Sequence, residues 1–142
     1  MLIIAIDPGL TGAVSALRDG AFLGVEDMPT VAKGSGSVKR EVDPAGLKRL
    51  IRAWMQPDES TTAVLEQVGA MPSQGVSSTF SLGDSYGSAR AVIATSTIPL
   101  TLVSPVTWKK YFKLDRDKEK SRALAIRLFP SAPLHLKKHD GR

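Results

Sequence analysis

Apolar and polar positions along the 142 residues fall into short strand-like runs and helix-like stripes. Leu2–Ile6 is uninterrupted apolar and stops at Asp7-Pro8-Gly9, the pattern of a central strand buried on both faces. Gly12–Leu17 and Ala21–Met28 read as two further strands joined by a turn at Arg18-Asp19-Gly20. Val31–Glu41, rich in Gly, Ser and Lys, reads as a mobile loop. Asp43-Pro44 then predicts a helix with an Asp cap and proline in its first turn. Its apolar stripe is Leu47, Leu50, Ile51 and Trp54, and Pro57 ends it.

Thr61–Glu66 is the next strand, Val68–Ser78 a Gly/Ser/Pro loop, and Thr79–Thr95 a long helix rich in small residues. Leu100–Val103 is a last strand. Ser104-Pro105 repeats the cap-plus-proline signal and opens a helix through Phe112, and Asp117–Phe129 is a further helix closed by Pro130. No internal repeat or linker divides the chain, so residues 1–142 read as one domain. The order of elements predicts an α/β fold, a mixed five-stranded sheet with helices on both faces.

Two of these strands end in carboxylates. Leu2–Ile6 runs into Asp7, and Ala63-Val64-Leu65 runs into Glu66. If the strands are parallel neighbours, the two acids lie side by side where α/β sheets build their sites. Adjacent carboxylates repel each other and are costly to desolvate, and a divalent cation removes both problems. Hard oxygen donors suit magnesium or manganese. Each acid alone has a plainer reading. Asp7-Pro8-Gly9 is also an ordinary turn opening, and Glu66 could be a surface residue at a strand end; together they favour a site.

Composition narrows the classes. Hydrophobic residues at 42% and charged residues at 23% are those of a soluble globular protein. The absence of cysteine excludes disulfides and thiolate metal sites and suits a reducing cytoplasm. The opening apolar run is too short for a signal peptide or a membrane span. Charge is uneven: residues 109–142 carry 11 Lys and Arg against 4 acids, net +7, while residues 1–108 carry 8 against 10, net −2. A basic end on a near-neutral body fits a phosphate-backbone binder, although a solvated surface has the same composition.

Ile4-Ala5-Ile6-Asp7-Pro8-Gly9-Leu10-Thr11-Gly12 resembles the opening strand and turn of the RuvC resolvases, and Leu65-Glu66-Gln67-Val68 resembles their second acidic motif. Gly75–Ala94 and Val103-Ser104-Pro105-Val106-Thr107-Trp108-Lys109-Lys110 are similar to bacteriophage and prophage members of that family. The resemblance spans nearly the whole chain. It implies a ribonuclease H-like fold and a crossover junction endodeoxyribonuclease: a homodimer that makes paired symmetric nicks in four-way DNA junctions, leaving 5′-phosphate and 3′-hydroxyl ends. It implies two Mg²⁺ ions per site, with Mn²⁺ able to substitute, and no organic cofactor. Asp7 would bridge both ions, and Glu66 and Asp140 would each hold one. The implied setting is the cytoplasm of a bacterium or a phage-infected bacterium, with no membrane contact.

The family completes its metal site on a final helix. Lys137-Lys138-His139-Asp140-Gly141-Arg142 resembles the approach to it, which makes Asp140 the third expected ligand and His139 the fallback. The chain stops at Arg142 without that helix or a fourth acid, which implies truncation or an incomplete site. Lys109, Lys110, Lys113 and Lys118 are the expected DNA contacts, with Arg90, Ser77, Ser78 and Thr79 as further phosphate contacts. The family also stacks an aromatic residue on junction bases shortly after the second acid; this chain has Gly69, Ala70 and Met71 there, so that aromatic is missing or supplied by Phe80, whose plainer reading is a core residue. Phe80, Trp54 and Trp108 are expected in the core. Gly83–Ala94 is the expected dimer helix, although its small residues would serve equally well against the sheet.

Three other functions stay open on the sequence. One is a non-catalytic branched-DNA-binding module, and another a nuclease of the same fold acting on forks, flaps or RNA. The third is an actin or sugar-kinase type phosphotransferase, which also opens on a strand, Asp and a glycine turn but needs two such domains.

Overall fold

The computed structural model describes residues 1–34, 39–70 and 74–134. Strands β1 (Leu2–Ile6), β2 (Ala13–Arg18) and β3 (Ala21–Asp27) form an antiparallel meander. The β2–β3 turn holds Asp19 at φ 50° and Gly20 at φ 81°, both left-handed, the geometry that lets a two-residue Asp-Gly turn follow the strand twist. A register shift between Ala16 and Leu17 bends this pair. Strands β4 (Thr30–Ala32) and β5 (Arg40–Val42) pair antiparallel as a separate small sheet, so the stretch expected to be one loop is bracketed by ladder hydrogen bonds.

Helix α1 (Pro44–Trp54) starts where expected, but the Asp43 side chain makes no cap hydrogen bond. The Asp43 carboxylate instead meets Arg49 at 3.4 Å. Strand β6 (Thr61–Glu66) pairs parallel with β1, and β7 (Leu100–Val103) parallel with β6, giving the order β3-β2-β1-β6-β7. Between them runs α2 (Val76–Thr95), which begins three residues before the expected Thr79 and so takes Ser77 and Ser78 out of the loop into its first turn. Helices α3 (Pro105–Tyr111) and α4 (Lys118–Leu128) complete the chain, capped by Ser104 and Asp117, whose side chains accept from the Thr107 and Glu119 amides.

The sheet is not equally covered. Leu2, Ile4 and Ile6 of β1 are buried and alternate with half-buried Ile3 and Ala5, instead of the burial on both faces that the apolar run suggested. The buried face packs with Val14, Ala16, Ala63 and Leu65 against Leu47 and Ile51 of α1 and Ala89, Val92 and Ile93 of α2. Each buried Leu, Ile or Val among these contributes about 1.5–3 kcal/mol relative to exposure. Trp54 packs against this core, over Gly24, where an added Cβ would lie 3.4 Å from its indole nitrogen. Phe80 does not join it: at 71% exposure it stands on the outer face of α2 with Val76, Gly83 and Gly87. The other face of the sheet is roofed loosely by α3 and α4, with the Phe22 and Phe129 rings 6.4 Å apart at one margin. Among the described residues no helix is long and apolar enough to cross a membrane.

Candidate active site

The parallel register of β1 and β6 pairs Ile6 with Leu65, so the next residues along the two strands are Asp7 and Glu66. Side chains alternate across a strand. With Ile6 and Leu65 buried in the core, Asp7 and Glu66 belong to the opposite face with Ala5 and Val64, and all four line one cavity. Two sequence features deliver Asp7 to this place. Its amide donates to the Ala13 carbonyl at 2.9 Å, which ends β1 against the start of β2. The loop between them closes on itself through Gly12 N–H to the Gly9 carbonyl (2.9 Å) and Gly9 N–H to Asp7 Oδ1 (3.3 Å). Gly12 is required by space: an added Cβ would stand 2.2 Å from the Asp7 carbonyl oxygen and 2.8 Å from that of Gly9.

Glu66 is held from its other side. It is the last residue of β6 and pairs with Val103 of β7, after which Ser104 and Pro105 start α3. One helical turn on, Trp108 returns over the strand end and donates its indole N–H to Glu66 Oε1 at 3.1 Å. Trp108 is therefore a half-buried wall of the site and not a core residue. The cavity, about 690 Å³, lies between the sheet and the α3–α4 roof. Its polar lining sets Asp7 and Glu66 against Lys109, Lys118 and Arg122, and Val64, Val103, Leu124 and Phe129 supply apolar walls. Arg122 is anchored by Glu119 and by the Leu134 carbonyl at 3.4 Å.

The expected DNA contacts separate in space. Lys109 and Lys118 line the cavity with the two acids. Lys110 and Lys113 are exposed outside it, Lys113 in a left-handed conformation at φ 55°. Arg90 lies on α2 with its guanidinium 5.6 Å from the Tyr86 ring centre, and Ser77 and Ser78 are exposed at the start of the same helix. Asp140 and His139 lie outside the described residues. Sequence reading missed Trp108 as the partner of Glu66, and Arg122 as a lining residue. The only local signal for Trp108 was the Ser104-Pro105 cap, which sets where α3 starts and hence which residue returns over β6.

No protein-family model matches the chain, and no curated protein does. Solved structures do. Thermus thermophilus RuvC in complex with Holliday junction substrate aligns over 99% of this chain and 87% of its own, with TM-score 0.59 and 11% identity. The fold is that of RuvC. A second structure of Thermus thermophilus RuvC aligns over the same shares, with TM-score 0.55 and 14% identity. The five-stranded mixed sheet between helical layers is thus the ribonuclease H-like sheet of RuvC, with the Asp7 and Glu66 strands at its parallel centre.

The donor set suits a hard divalent cation. Two carboxylates on adjacent strand ends offer oxygen ligands only, and magnesium is commonly held by one or two carboxylates, with waters and substrate phosphate completing its octahedron. Among the described residues no group of three or more His, Cys, Asp or Glu gathers in one place.

Proposed function

We propose that the chain is a metal-dependent endodeoxyribonuclease that resolves four-way DNA junctions. The observation that carries this reading is the pairing of Asp7 and Glu66 at the ends of parallel β1 and β6, in a cavity whose opposite wall bears Lys109, Lys118 and Arg122, within a RuvC fold. Carboxylates and cations facing each other across a cleft are what a phosphodiester needs: one wall takes up divalent cations, and the other compensates the phosphate's own charge.

Asp7 and Glu66 would hold the cations, Asp140 contributing a third carboxylate. Bound divalent cations supply activated water and charge compensation at the leaving oxygen. Lys109 and Lys118 would bind non-bridging phosphate oxygens and so fix the scissile bond relative to the acids. Val64, Val103 and Phe129 supply apolar walls beside these charges. Lys110 and Lys113, exposed beside the cleft, would carry the flanking backbone.

Symmetric nicks need two such sites related by a twofold axis. The outer face of α2, with Val76 and Phe80 exposed and open space around Gly83 and Gly87, is the surface we assign to the second protomer. The test is cleavage of a labelled synthetic four-way junction in Mg²⁺, Mn²⁺ or EDTA, beside linear duplex and fork controls. Symmetric metal-dependent nicks would support the resolvase reading. Binding without cleavage in any metal would favour a non-catalytic junction-binding module, and equal cleavage of forks a broader branched-DNA nuclease.

A further inference from the structure

Glu66 sits on a flexible three-torsion stem at the end of a strand, and nothing in β6 itself sets where its carboxylate points. The structure supplies that restraint from 42 residues away: Trp108 Nε1–H donates to Glu66 Oε1 at 3.1 Å. Three further features hold the indole. Pro105 and the Ser104 cap (Oγ accepting from the Thr107 amide at 3.1 Å) fix the first turn of α3. The Gln67 amide donates to the Val103 carbonyl at 2.9 Å, which ties the β6 end to the strand that launches that turn. Lys109 places its ammonium 5.4 Å from the centre of the indole ring.

We infer that Trp108 is a positioning residue for metal binding: its N–H occupies one oxygen of Glu66 and turns the other toward Asp7. This rests on the proposed cation site at Asp7 and Glu66. An indole N–H is a donor only, so it cannot compete for the cation and leaves the second carboxylate oxygen of Glu66 to meet it. Losing such an outer hydrogen bond to a metal ligand typically weakens metal affinity about 10–100-fold.

The test is Mn²⁺ binding to the DNA-free protein, followed by electron paramagnetic resonance, for the wild type, Asp7→Asn and Trp108→Phe, with circular dichroism melts beside them. Phenylalanine keeps an aromatic ring and removes only the donor. Saturable binding in the wild type, lost in Asp7→Asn and about tenfold weaker in a folded Trp108→Phe, is the expected result. Unchanged affinity in Trp108→Phe, with Asp7→Asn still defective, would overturn the role of Trp108 and leave the Asp7–Glu66 site standing. No saturable binding in the wild type, or equal binding by Asp7→Asn, would remove both. If Trp108→Phe does not fold, the wild type decides by proton–nitrogen NMR. Magnesium should then shift the Trp108 indole resonance, assigned through its nuclear Overhauser contacts, and leave that of Trp54 in place; a static Trp108 resonance at saturating Mg²⁺ overturns the inference.

Discussion

Gly12→Ala isolates the turn that positions Asp7. The new methyl would lie 2.2 Å from the Asp7 carbonyl oxygen, 2.8 Å from the Gly9 carbonyl oxygen and 2.9 Å from the Asp7 carbonyl carbon. All three are backbone atoms, so no side chain can rotate aside, and relief requires moving the chain by about 1 Å against close packing. Overpacking in a well-filled site costs about 1–3 kcal/mol. The displacement also breaks the Asp7-to-Ala13 and Gly12-to-Gly9 backbone hydrogen bonds, which contribute about 1 kcal/mol each. The total is about 3–5 kcal/mol, a large part of the stability of an ordinary domain. For a chain of this length the melting temperature should fall by about 10–15 °C. Gly20→Ala is the control: its φ of 81° is strained for alanine, but nothing lies within 4 Å of the added Cβ. It should cost about 1 kcal/mol, or about 3 °C. Circular dichroism melts of both proteins measure the difference. A Gly12→Ala protein melting as close to the parent as Gly20→Ala would refute the claim that the turn leaves no room for a Cβ.

Three further outcomes follow from local geometry. Ser104→Ala removes the cap acceptor for the Thr107 amide and should lower stability by about 1 kcal/mol, read as a shift of about 3 °C in the melt; an unchanged melt would mean that α3 needs no cap. Arg18 grips Glu59 through Nε at 2.9 Å and Nη2 at 3.0 Å, and this hydrogen-bonded pairing holds the Glu59 carboxyl below the usual carboxylate range. A depressed folded pKa contributes stability above the unfolded value of about 4.3 that is lost as pH falls through the folded one. Glu59→Gln should therefore lower the melting temperature at pH 7 and flatten its decline toward pH ~3, and parallel curves would disprove the link. A Gly83→Leu, Gly87→Leu double variant fills the open outer face of α2. On the proposed assembly the parent should elute as a dimer in light-scattering chromatography and this variant as a monomer; a dimeric variant would move the interface elsewhere.

Periodicity located what local chemistry controls. The Leu47, Leu50, Ile51, Trp54 stripe is the face of α1 that meets the core. The apolar runs ending at Asp7 and Glu66 pair in the parallel register that makes those ends neighbours. Four features were out of reach for separate reasons. Thr30–Ala32 and Arg40–Val42 are three-residue strands of mixed polarity, and only their mutual pairing makes them strands. The first half of α2 has no single apolar stripe, so neither its start at Val76 nor the exposure of Phe80 could be read from spacing. The unequal burial of β1 depends on how loosely α4 covers the sheet, and α4 contributes no fully buried residue. Trp108 reaches Glu66 by a tertiary approach that no motif encodes.

Cleavage of a labelled four-way junction by the wild type and Asp7→Asn, in Mg²⁺ and in EDTA, tests the central claim most directly. Asp7 is one of the two acids on the cavity face, so the wild type should make paired symmetric nicks in Mg²⁺ and none in EDTA. Asp7→Asn should bind the junction and leave it intact. Cleavage by Asp7→Asn at the wild-type rate, or wild-type cleavage undiminished in EDTA, would contradict a metal-dependent site built on Asp7 and Glu66.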